Sequence, residues 1–518
     1  MEVVKVSSEN GKDVKKEISK DKANFEEAIT ATEFGKFNII LLLFLLPSSF
    51  TQASEQMGIS YVLPIAECDL QLTLEKKGLL NAVSFAGMIS SGVFFGYLCD
   101  TFGRKKLIVA GYLLHTIFTI VAATSTNILQ LLIAKFICGF IFNGPFSSVT
   151  TYLTEFHSTK YRSRVQLIRG VNLSSGFFVL AVIAWVVLPL NINFSIFGSI
   201  NLHSWNVFLL CCSVPPLMTA IMFSFMPESP KFLMSIGKNE EALKVFQTVY
   251  SLNTGKSKED FPIKQLIQEI KIDEKNNEKR SLKSSMSESW KRVNKLFKPP
   301  LVYRLIIIVT LANFLLMGSS IIKFWLPQLL KLINDYRKLE GNSGIDVCAA
   351  INTLNDIEQV VNKTCEAVDN SFVYQNAMII NGVEIFCFII SGFLVNCLGK
   401  KRMMGILSTL AAIAASSIYF APDTTTLIAL LTMFISSLDL SGVIGLTITL
   451  EAFPTNVRAL ALSLNLMFAR IGAIIANMMF SYLVAAGCFV PFLVSTVLAG
   501  TLPILIYLSP NTENKDLL

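Results

Sequence analysis

Charge is what this sequence has least of. Asp, Glu, Lys and Arg make up 16% of its 518 residues, against about 25% in an ordinary soluble domain. Histidine is scarce, with only His115, His157 and His203, and no nucleophile–His–acid arrangement can be drawn from them. No P-loop pattern occurs, which argues against ATP-driven work within the chain. The ten cysteines show neither a CxxC pair nor a Cys/His metal spacing, so no metal and no cofactor is expected. An enzyme is not expected either. Residues 1–36 are polar and hold no apolar stretch like that of a signal peptide; they are expected to form a flexible cytoplasmic tail.

Hydrophobic length takes the place of charge. Apolar types make up 52% of the chain and the mean hydropathy is +0.55. A membrane span needs about 20 apolar residues. Runs of that kind fall at about 37–66, 78–98, 107–126, 128–150, 166–189 and 206–226, and again at about 303–330, 373–397, 403–421, 425–450, 459–484 and 487–508. They are too long and too uniformly apolar for barrel strands, so the expected fold is an all-α membrane protein of about twelve transmembrane helices. The expected layout is a tail (1–36), a six-helix bundle (37–226), a cytoplasmic linker with short helices (227–302), a second six-helix bundle (303–508) and a tail (509–518).

The net charge of +7 does not point to nucleic acid, because the basic residues stand in short runs between spans. Arg104–Lys106, Lys160–Arg164, Lys400–Arg402, Arg458 and many residues from Lys231 to Lys298 share one side if every run crosses once. The opposite connections at about 190–205 and 421–425 hold no Lys or Arg. Both termini are therefore expected in the cytoplasm, the chain being multi-pass in a plasma or vesicle membrane. The loop at about 334–371 on the other side holds Cys348 and Cys365, which either pair as a disulfide or stay free thiols. Asn193 and Asn362 each begin a glycosylation sequon on that side.

The strongest feature is a repeat. Gly96, Asp100, Gly103 and Arg104 recur 296 residues later as Gly392, Asn396, Gly399 and Lys400. The same offset carries Glu155 onto Glu451 and Arg162 onto Arg458. Two halves of one architecture are implied: pseudo-symmetric six-helix bundles with a cavity between them at mid-depth, rocking to give alternating access. The repeated residues suit a cytoplasmic gate. Gly96 would allow close helix approach. Asp100 would sit at a helix N-terminus. Arg104 and Arg162 would pair with Glu155. Asn396, Lys400, Glu451 and Arg458 are the second-half equivalents, and Glu228 follows the sixth span.

At these residues the chain resembles the major facilitator superfamily. Pro227-Glu228-Ser229-Pro230-Lys231 is similar to the motif of its sugar and organic ion transporters. Val62–Glu67, His203–Phe208 and Trp325-Leu326-Pro327 resemble the synaptic vesicle glycoprotein 2 family. That family has a longer tail and a longer luminal loop. Its tenth-span Trp and Asp correspond here to Gly442 and Leu446, and its fifth-span Trp to Trp185. Lys135 resembles a basic residue that many superfamily members carry in the fourth span.

Charges inside spans are rare and usually face a cavity. Glu55, Lys135, Glu384, Asp439 and Arg470 are such charges, and with Trp185 they form the expected substrate pathway. Glu55 is either a coupling carboxylate for a proton or cation or one end of an ion pair with Lys135. Glu384 and Asp439 either pair with Arg470 or line the path. Lys323, near a span end, is expected to snorkel to the interface. The leading functional expectation is a monomeric secondary transporter of a small organic solute. The competing one is a vesicle-glycoprotein-like membrane protein that binds or traffics rather than transports. Nucleic acid is not an expected partner; the lipid bilayer is.

Overall fold

A long apolar segment in lipid must satisfy its backbone within itself, and here each run does so as a helix. The computed structural model describes residues 22–190, 192–196, 200–267, 296–340 and 371–510. The first half holds α2 (Lys36–Ala66), α3 (Leu74–Ser90), α4 (Gly92–Phe102), α5 (Arg104–Ala123), α6 (Ile128–Glu155), α7 (Thr159–Val187) and α8 (Ser204–Ser224). The second holds α11 (Leu301–Lys323), α12 (Leu326–Glu340), α13 (Ser371–Leu398), α14 (Lys400–Ile418), α15 (Thr424–Ala452), α16 (Thr455–Ala486) and α17 (Phe489–Leu508). Among the described residues, ten helices are long and apolar enough to cross a membrane. The second span, divided into α3 and α4 at Ser91, and the ninth, α14, bring the number to twelve. The seventh run also divides: α11 stops at Lys323, and α12 carries the chain onward from Leu326.

Glycines let helices close on one another inside each half. A Cβ on Gly139 of α6 would lie 2.1 Å from the Ser84 carbonyl oxygen of α3, and one on Gly87 of α3 would lie 2.2 Å from the Phe136 oxygen. The expectation for Gly96 is not met, since a Cβ there would meet nothing within 4 Å. The span-linking turns repeat faithfully. Gly103 (φ +94°) and Gly399 (φ +81°) both adopt a backbone that side chains disfavour, and each starts the next helix.

The N-terminal segment differs from a flexible tail. Its described part forms β1 (Lys22–Ala23) and α1 (Phe25–Ala31), the latter closed by an Asn24–Glu27 capping box. β1 pairs in parallel with β4 (Gln265–Leu266). α9 (Pro230–Ser235) and α10 (Asn239–Thr254) pack with this segment around Phe25, Ile29, Leu233, Phe246 and Tyr250. The apolar positions of a short polar stretch thus find a core in the linker. β2 (Asn193–Ile196) and β3 (Ile200–His203) form a hairpin at the other end of the bundle, with Asn193 exposed.

The halves meet along α7 and α13, where a Cβ on Gly170 would lie 3.0 Å from the Phe388 ring, and at the face away from the basic loops. Phe85 of the first half packs on Phe324 of the second with ring centroids 5.4 Å apart, and Tyr61 on Tyr374 at 6.0 Å. A Cβ on Gly78 of α3 would lie 2.8 Å from the Asn477 oxygen of α16. Asn81 donates to the Phe324 carbonyl, Ser481 to that of Leu74, and Lys331 to that of Pro64 while pairing with Glu67.

Candidate functional site

A cavity of about 250 Å³ lies between the halves, walled by α2, α3, α6 and α7 on one side and by α11, α13, α15 and α16 on the other. Most of its lining is apolar, with Phe85, Phe146, Phe177, Phe324 and Phe388 among it. Gln52, Gln56, Gln166 and Asn465 add neutral polar groups. Gly442 and Leu446 sit on the α15 wall.

Five charged side chains reach this wall: Arg169, Lys323, Glu384, Asp439 and Arg470. Three of them form one cluster. Lys323 is ion-paired to Asp439, lies 3.9 Å from Glu384 and sits 4.1 Å from the centre of the Phe177 ring. Ser319 donates to Asp439 at 2.8 Å, and Ser174, from the other half, donates to Glu384 at 3.3 Å. Lys323 is 5% exposed, so it is buried rather than snorkelling. Its position at the end of α11 is an interior one because α12 continues beyond it. Glu384 and Asp439 therefore pair with Lys323 and not with Arg470.

The two arginines stand apart from that cluster. Arg470 donates to the Met88 carbonyl at 3.4 Å. Arg169 donates to Gln166 at 3.4 Å and lies 5.1 Å from the Phe146 ring centre. Neither has a carboxylate partner among the described residues.

Glu55 and Lys135 lie behind the cavity wall, in the core of the first half. Lys135 Nζ is 2.7 Å from Glu55 Oε2, and His115 Nε2 is 3.3 Å from the same oxygen. Glu55, His115 and Cys138 bring ligand atoms within 4.8 Å of one another, a set with metal-binding chemistry. The Lys135 ammonium already holds the carboxylate there, and its charge opposes a bound cation.

The basic face carries a second polar system. Arg104 pairs with Glu155 at 3.4 Å, and Ser229 also donates to Glu155. Glu228 accepts from the Arg104 and Lys105 amides at 3.0 Å each, so it is the anion at the N-terminus of α5. The expectation gave a helix-terminus role to Asp100, whose side chain, like that of Asn396, lies outside the described residues. Arg162 does not pair with Glu155. Its guanidinium reaches Glu26 of α1 at 2.7 Å while its Nε donates to the Thr154 and His157 carbonyls. The second half repeats the pattern: Lys400 pairs with Glu451, and Arg458 Nε donates to the Phe453 carbonyl, the equivalent of His157. The Arg104–Glu155 and Lys400–Glu451 pairs each join two residues of the same half.

The family model for sugar (and other) transporters matches residues 48–355, more than half of the chain. The chain belongs to this transporter family. Among curated relatives of this family member, synaptic vesicle glycoprotein 2B of Rattus norvegicus is 29% identical over 230 residues, 44% of this chain. That match spans 34% of the vesicle glycoprotein, so about a third of its length is covered. The putative transporter svop-1 of Caenorhabditis elegans is 25% identical over 456 residues, 87% of this chain and 78% of that one. The fold matches the partially occluded, inward-open xylose transporter XylE of E. coli with a TM-score of 0.66 at 14% identity, over 93% of this chain and all of that one. The fold is that of the major facilitator superfamily.

For this family member, the sequence-derived pathway divides in two. Glu384, Asp439 and Arg470 line the cavity; Glu55 and Lys135 pair behind it. Trp185 does neither, being 40% exposed near the end of α7 and outside the lining. Sequence reasoning missed Arg169 and misplaced Lys323. The signal for Arg169 was present, since it lies inside the fifth apolar run. Cys348, Cys365 and Asn362 lie outside the described residues. Cys68 and Cys488, which sequence did not single out, are disulfide-bonded.

Proposed function

We propose that this chain carries a small organic solute across the membrane by alternating access. The observation that carries the reading is a charged cavity walled by both halves. Its volume, about 250 Å³, lies below the roughly 300–1,000 Å³ of sites for drug-sized ligands, which suits a small solute. The positive-inside rule puts the basic face and both termini in the cytoplasm. Hydrogen bonds from Asn81, Ser481 and Lys331 join the halves at the far face, whereas Arg104–Glu155 and Lys400–Glu451 stay within single halves. This supports a cavity that opens toward the cytoplasm, with those pairs bracing each half rather than latching one to the other.

A coupling proton or cation binds at Glu384 rather than at Glu55. One ammonium, Lys323, faces two carboxylates at the cavity wall, while Glu55 is already held by Lys135 and His115. The test is flux into liposomes holding the purified chain, with a solute panel and an imposed proton gradient. Glu384→Gln is expected to keep solute exchange and lose gradient-driven accumulation; unchanged accumulation would contradict the assignment. The stretch similar to a synaptic vesicle glycoprotein supports a second reading, a binding or trafficking protein. Folded chain that moves no solute would favour it.

A further inference from the structure

We infer that the cavity takes an organic anion, a carboxylate with an apolar body, held between Arg169 of the first half and Arg470 of the second. The inference rests on the transporter reading only in placing the solute in this cavity.

The charges at the wall do not balance. Lys323 is used by Asp439 and Glu384, and that cluster sums to one negative charge. Arg169 and Arg470 add two positive charges, so the five lining groups leave one positive charge over. Both arginines are half-buried. Each guanidinium has five N–H donors, yet each makes one hydrogen bond among the described residues, at 3.4 Å, the long end of the useful range. A cation inside a membrane span normally has a partner. Here the partner is missing from the described protein, and the open space beside both arginines is where a solute would sit.

The charge balance disfavours other classes. A sugar could use Gln52, Gln56, Gln166 and Asn465 but would leave both guanidiniums without counter-charge. An organic cation would add to the surplus. An anion with an aromatic or aliphatic body supplies the missing charge and covers Phe85, Phe146, Phe177 and Phe388. Because the arginines belong to opposite halves, such an anion bridges the halves and binds differently as they rock, which alternating access requires.

The test measures binding and flux separately on the full chain. Purified protein is titrated with benzoate, salicylate and glutarate, with benzamide and benzamidine as the neutral and cationic counterparts of benzoate, and with xylose. A carboxylate is expected to raise the melting temperature where benzamide and benzamidine do not. Arg169→Gln and Arg470→Gln should each weaken that carboxylate roughly 10- to 150-fold. Arg470→Lys, which keeps charge but loses the planar fork, should recover part of the loss. Monodispersity and helical content report whether each variant folds. The inference is overturned if no carboxylate binds to folded native protein, if the counterparts bind equally well, or if folded Arg→Gln variants keep their affinity. Arginine-dependent carboxylate binding without flux of any solute would leave the inference standing and remove the transport reading. Xylose flux indifferent to carboxylates and to both arginine variants would do the reverse.

Discussion

At the scale of single residues, the decisive groups are those whose charge is buried. Lys323 is 5% exposed and serves two carboxylates. Removing one partner of a buried ionic cluster leaves an uncompensated charge, at about 3–5 kcal/mol. Lys323→Met should therefore lower the melting temperature sharply. Adding Glu384→Gln and Asp439→Asn to it should restore most of the loss; a triple variant no more stable than the single one would show that the cluster is not what Lys323 balances. His157 gives a pH prediction at the basic face. It is 1% exposed, and burial pushes its pKa below the usual value near 6.5. The unfolded chain then takes up the proton more readily, so the stability this neutral ring contributes is present above about pH 6.5 and drains away as pH falls below it. Melting temperature should drop between pH 7.5 and pH 5.5, and less so in His157→Gln. An equal drop in both proteins would assign the effect elsewhere.

At the scale of elements, helix packing within each half depends on glycines at crossings, and the structure separates those that matter from those that do not. Gly139 has no room for a side chain against Ser84, whereas Gly96 has open space. Gly139→Val should destabilise the solubilised protein by at least about 2 kcal/mol through forced separation of α3 and α6. Gly96→Ala should be neutral or slightly stabilising, since Ala suits a helix better. A thermal ranking in the opposite order would contradict the packing. The two glycines also show where sequence was legible. A repeat at a fixed offset revealed the paired turns at Gly103 and Gly399, because a positive φ tolerates little else. Which helix face meets which neighbour is tertiary information. So neither the open space beside Gly96 nor the interior position of Lys323 follows from the sequence pattern. The core around Phe25 and Phe246 was equally hidden, since its two strands of sequence lie far apart.

At the scale of the molecule, the twelve spans and the two halves could be read from apolar length and the repeat alone, because lipid leaves the backbone little choice. The cavity could be read only in part. Buried charges announced Glu384, Asp439 and Arg470, but their pairing depended on geometry between helices. Arg169, inside the fifth apolar run, is not among the residues expected there. The account predicts that the halves move as bodies about the cavity. Spin labels at Lys106→Cys with Arg402→Cys, and at Thr126→Cys with Pro422→Cys, report the separation of the halves at the basic face and at the opposite face. Each pair joins exposed, repeat-related positions. The two distance distributions should each contain two populations that shift in opposite senses when a carried solute is added. A single distance on both faces, unmoved by any solute that crosses the membrane, would contradict the rocking of two halves.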